Sequence, residues 1–126
     1  MGDDPRSFED VIDFDSVTVH KLDTSCEKLA DRMKQITDQA VKGLGNWVHI
    51  DEKRQARIDE AKGTTPCPWP HPAAFAKRVT TLAHADYDYT INWTDLSIHM
   101  IKDHCFFEGR GSKFRLEPEI LKKFLF

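Results

Sequence analysis

Two pairs of residues in this chain have the types and spacing of metal ligands. Cys67 and His71 stand as C-x3-H, and His99 and His104 as H-x4-H. A thiolate with three imidazoles is a legitimate zinc shell, and an H-x3–5-H spacing is one that zinc sites use. Prolines 66, 68, 70 and 72 interleave with the first pair. Each fixes its own φ and pushes its predecessor towards extended geometry, so the frame preorganises Cys67 and His71. The second pair falls on a helical pattern, where five residues at 100° each put the two positions about 140° apart. His104 lies near the centre of an apolar arc of Leu96, Ile98, Met100, Ile101 and Cys105, and His99 shares the polar side with Lys102 and Asp103. The competing reading makes His104 a core histidine and His99 a surface one paired with Asp103. The candidate cofactor is zinc, held by Cys67, His71, His99 and His104.

A second constellation is Gly109-Arg110-Gly111-Ser112-Lys113-Phe114-Arg115. Free backbone N–H groups, a hydroxyl and three cations could hold a phosphate or carboxylate through Arg110, Ser112, Lys113 and Arg115. The competing reading is a glycine turn with solvated bases. The run is not a Walker A loop, because the G-x4-G-K-[ST] frame is missing. Cys105 adjoins His104, but neighbours on a helix point apart, so the pair reads as packing and not as a nucleophile with its base. No G-x-S-x-G, H-E-x-x-H or G-x-G-x-x-G occurs.

His84 at a strand end, Asn92 on the next strand and His99 on the following helix resemble the ββα-metal (HNH) nucleases over residues 84–99. In that family the first His activates water and the others hold a divalent ion, which implies a metal-dependent hydrolase or nuclease as the rival function. Charge speaks against nucleic acid. The chain carries −3 overall, and non-specific binding needs a dense basic surface. The charge is uneven. Residues 1–23 hold seven acids against two bases, while residues 106–126 hold five bases against three acids. Head and tail could attract each other within one chain or between two copies.

The elements that must position these groups belong to one domain. At 126 residues, 40% apolar and 31% charged, the chain is of ordinary single-domain size and too apolar for global disorder. No apolar run approaches the ~20 residues of a membrane span. The acidic N-terminus lacks the apolar stretch of a signal peptide. With three widely spaced cysteines and no C-x-x-C, this predicts reduced thiols and a cytoplasmic protein.

Residues 1–23 read as a partly ordered acidic arm, with Val17-Thr18-Val19 as a short strand. Thr24 and Glu27 make a capping box for a helix over 25–42, whose stripe is Leu29, Met33, Ile36 and Ala40. Gly43 and Gly45 end it. Residues 51–62 fit either an exposed helix or a hairpin. Residues 63–72 form a proline-rich connector. Residues 75–84 and 87–93 read as strands, the second with Tyr87, Tyr89, Ile91 and Trp93 facing one way. Thr94 caps a helix over 95–105, and a last helix follows Pro118. The expected fold is α+β, a small antiparallel sheet with a long N-terminal amphipathic helix and a second helix packed on it, within residues 24–126. The expected role is a small soluble binding or regulatory domain with a zinc or anion site. Its partners would be a protein or a small anionic ligand, without membrane and with a homodimer as a further expectation.

Overall fold

Two serine-capped helices open the chain. The computed structural model describes residues 7–66, 74–108 and 115–126. Helix α1 spans Phe8–Lys21 and helix α2 spans Cys26–Val41. Ser7 Oγ accepts the Asp10 N–H, and Ser25 Oγ accepts the Lys28 N–H. Each bond satisfies an orphan donor of a first turn. The cap of α2 is therefore Ser25, one residue later than the Thr24–Glu27 pairing predicts. Its expected stripe is correct: Leu29, Met33, Ile36 and Ala40 are all fully buried.

Helix α1 corrects the expected strand at 17–19. β-branched Val17, Thr18 and Val19 favour a strand locally. Packing overrides that preference, because Val11, Asp15 and Val19 recur every four residues and all three are buried.

Four strands follow, β1 (Val48–His49), β2 (Arg54–Pro66), β3 (Ala74–His84) and β4 (Thr90–Thr94). They pair antiparallel in the order β1-β2-β3-β4. The ambiguous 51–62 segment is thus mostly strand. Arg54 opposes His84 and Pro66 opposes Ala74, with a register shift between Glu60 and Thr64. The connector therefore begins inside β2, and its residues 67–72 lie outside the described ones.

One face of this sheet is apolar. Ala56, Leu82 and Ile91 form one buried cross-strand row, and Ile58, Thr80 and Trp93 the next. Strand β4 starts later than the 87–93 pattern predicts. Ile91 and Trp93 face inward and Asn92 is exposed, as the alternation requires, but Tyr89 precedes the strand and is 46% exposed.

Helix α3 (Asp95–His104) follows β4 directly. Thr94 Oγ1 accepts the Ser97 N–H while Ser97 Oγ accepts the Thr94 N–H, a closed capping box. Helix α4 (Pro118–Leu125) places Pro at its first position and buries Leu121, Phe124 and Leu125. Arg54 Nε and Arg32 Nε donate to the Phe124 and Leu125 carbonyls at 2.5 and 3.1 Å. Two cations thus sit where the helix dipole favours them.

Helices α2 and α3 pack on each other and on the sheet. The fold is α+β with a four-stranded antiparallel sheet. Where α2 crosses the sheet, the Trp93 Nε1–H donates to Thr37 Oγ1 at 2.9 Å, and the Thr37 and Thr80 hydroxyls share a 3.1 Å bond. These buried polar groups are therefore satisfied. Among the described residues, no helix is long and apolar enough to cross a membrane.

Candidate functional site

The end of α3 brings His99 and His104 together. Their ring centroids lie 5.2 Å apart with planes at 83°. The 140° offset of an ideal helix is overcome at its last residue. The chain then leaves the helix at Cys105, which caps it in the left-handed conformation with φ 49°.

His99 is positioned from two sides. Its Nδ1 lies 3.0 Å from Asp103 Oδ2, the expected i,i+4 pairing. Phe75 at the start of β3 stacks on it at 4.6 Å. His99 is not the exposed residue of the competing reading, since its side chain is only 11% exposed. A carboxylate holding one imidazole nitrogen is the arrangement that orients histidine for a metal at the other. Two imidazoles on one tetrahedral zinc, at ~2.0–2.1 Å per nitrogen, would have ring centres about 5 Å apart. The observed spacing suits that geometry.

The other two expected zinc ligands, Cys67 and His71, lie outside the described residues. Among the described residues no group of three His, Cys, Asp or Glu side chains is placed to hold a metal ion. In sequence His71 precedes Phe75, the ring stacked on His99, by four residues.

A cavity of about 380 Å3 opens beside His99 between α2, β3 and α3, bordered also by Lys34, Thr37, Phe75, Arg78 and Asp95. Arg78 Nε donates to both Asp95 oxygens at 2.9 and 3.1 Å. Lys102 nearby pairs with Asp31 on α2 at 3.0 Å, and that bond raises the pKa of its ammonium. No sequence signal marks this cavity, because its walls come from elements up to 69 residues apart.

The anion constellation splits. Arg110, Ser112 and Lys113 lie outside the described residues. Arg115 already holds an internal anion. Its guanidinium donates to both oxygens of buried Asp15 at 2.5 and 2.9 Å, to Glu117 at 3.0 and 3.2 Å, and to the Glu108 carbonyl at 2.7 Å. Burial disfavours its charge, but the bonds to Asp15 and Glu117 outweigh that and raise its pKa. An external ligand would have to displace α1, so Arg115 is a structural cation here. The attraction between acidic head and basic tail is realised within one chain by this pair. Lys122 Nζ, which donates to the Leu22 carbonyl, adds to it. Glu108 next to it has its carboxyl pushed up by burial.

His84 does not join His99 and His104. It sits at the far end of β3 from Phe75, nine residues or about 30 Å of strand away. There its Nδ1 accepts the Asp86 N–H at 3.0 Å, and its ring packs on Tyr87 and Phe124. Asn92 is exposed on β4. The geometry that the ββα-metal resemblance implies, with His84 activating water beside an ion held at His99, is absent because a full strand separates them.

The cysteines also depart from expectation. Cys26 at the first position of α2 and Cys105 at the cap of α3 form a disulfide, with Cα atoms 5.6 Å apart. Adjacent helices bring together residues 79 apart in sequence, which spacing alone does not reveal. The expectation of reduced thiols is wrong for these two, and the cytoplasmic placement loses that premise. Comparison with family models, with curated proteins and with solved structures returned no match.

Proposed function

We propose that this chain is a small binding domain whose ligand is a divalent transition metal, zinc by preference, held at the end of α3 by His99 and His104. The observation that carries this reading is the 5.2 Å spacing of the two rings with Asp103 on His99 Nδ1. Ligation would run through His99 Nε2, with Asp103 raising ligand basicity and fixing the ring. Cys67 and His71 are the proposed remaining ligands, which would close a four-coordinate structural site. Binding is favoured over turnover because His84, the water-activating residue of the hydrolase alternative, sits at the other end of β3.

Zinc titration by calorimetry, on protein first stripped with chelator, tests the reading. Wild type should bind one zinc per chain. His99→Ala and His104→Ala should each abolish binding, and Asp103→Asn should weaken it about 10- to 100-fold. Cys67→Ser and His71→Ala should weaken it as ligand losses do. Zinc affinity unchanged in His99→Ala, or no binding by wild type, refutes the proposal.

A further inference from the structure

We infer that the Cys26–Cys105 disulfide is a redox clamp on the histidine pair, so that thiol–disulfide exchange controls how His104 is held against His99. The inference rests on the proposed role of that pair and adds its regulation. Four observations lead to it. Cys105 follows His104 directly and ends α3. It does so at φ 49°, a conformation that L side chains disfavour and glycine usually supplies at this position. Its sulfur is bonded to Cys26 in the first turn of α2, so the strained cap is tied to the best-packed helix of the fold. Ser16 Oγ, from α1, donates to Cys105 Sγ at 3.4 Å, which brings a third helix to the same point.

Without the cross-link, nothing covalent holds a non-glycine residue at this left-handed cap. The cap then relaxes towards ordinary helical or extended φ, and the last turn of α3, with His104 on it, loosens. Both cysteines are half-buried, not sealed in the core. A small dithiol is the co-reactant. Its thiolate attacks one sulfur to give a mixed disulfide, and its second thiolate displaces the protein sulfur. Two electrons and two protons pass to Cys26 and Cys105, and the reagent leaves as a cyclic disulfide. Oxidation by a disulfide reagent reverses the step.

The decisive experiment compares oxidised wild type with the thiol-free Cys26→Ser/Cys105→Ser variant, which removes the cross-link without adding thiolate ligands. Amide hydrogen exchange over residues 101–107 is read first, because it does not depend on metal. It should rise about tenfold or more in the variant, as local opening there becomes easier. Zinc affinity is read second and should fall about tenfold. A Cys26→Ser/Cys105→Gly variant guards against general destabilisation. Glycine accepts the left-handed cap, so exchange at 101–107 should return towards the oxidised value while the cross-link is still absent. Unchanged exchange in the serine variant, or exchange that glycine does not restore, overturns the clamp. Zinc affinity equal in oxidised wild type and serine variant also overturns its control of the pair. If oxidised wild type binds no zinc while exchange follows the expected pattern, the metal reading fails and the clamp is upheld.

Discussion

Arg115→Met should be among the most damaging single substitutions outside the apolar core. Asp15 is 1% exposed and the Arg115 side chain 10% exposed, so the pair is held away from water. Arg115 gives the Asp15 carboxylate two hydrogen bonds from its guanidinium, at 2.5 and 2.9 Å. Methionine preserves most of the volume and removes every donor. The Asp15 carboxylate then loses its counterion among the described residues while staying buried, and breaking such a pair costs about 3–5 kcal/mol. The whole domain, at roughly 0.05–0.15 kcal/mol per residue, has about 6–19 kcal/mol to lose. Urea unfolding followed by tryptophan fluorescence is the assay. With a slope of roughly 2 kcal/mol per M, the midpoint should fall by about 2 M. The control is Asp15→Leu/Arg115→Met. An apolar pair of similar volume in a buried ion-pair site is often neutral, so the double variant should recover most of the loss. A single variant that loses less than about 1 kcal/mol would refute the reasoning, because it would mean that Asp15 keeps water or finds another cation. So would a double variant no better than the single one.

Three further outcomes are expected. Ile36→Asp puts an unpaired charge at a position with no solvent exposure on α2, and thermal unfolding should show the fold lost or its midpoint lowered by tens of degrees. Gly43→Ala should cost about 1–3 kcal/mol in chemical unfolding, because an added Cβ would lie 2.7 Å from the Asn46 carbonyl oxygen and also overlap the Val48 side chain. Glu108→Gln should stabilise the protein modestly at neutral pH. Burial raises the carboxyl's folded pKa above its usual 4.5, so wild-type stability from this group is fullest below that value and falls as pH rises through the raised one. The gain in the glutamine variant should shrink when unfolding is measured near pH 4, and a gain that grows on acidification would contradict it.

Local signals carried helices α2, α3 and α4 and strands β3 and β4. The stripe Leu29-Met33-Ile36-Ala40, the Thr94 cap and Pro118 each act within a few residues, where side-chain period and cap chemistry leave few alternatives. Ile91 and Trp93 faced inward because alternation leaves a strand with one apolar side no other register. The i,i+4 partner of His99 was legible for the same reason. What failed were matters of long-range assembly. Val17-Thr18-Val19 favour a strand by residue type, yet they lie in a helix because Val11, Asp15 and Val19 must all face inward. Residues 54–60 of the ambiguous segment became strand because residues 78–84 pair with them. The meeting of His99 with His104, the Asp15–Arg115 pair and the Cys26–Cys105 bond also depended on the assembled fold. The last two join residues 100 and 79 apart, and the first depends on how α3 ends. Sequence thus determined which segments could be helix or strand and which side of each is apolar, since propensity and periodicity are short-range. Tertiary structure decided which charges, rings and sulfurs meet, because that depends on where distant elements cross.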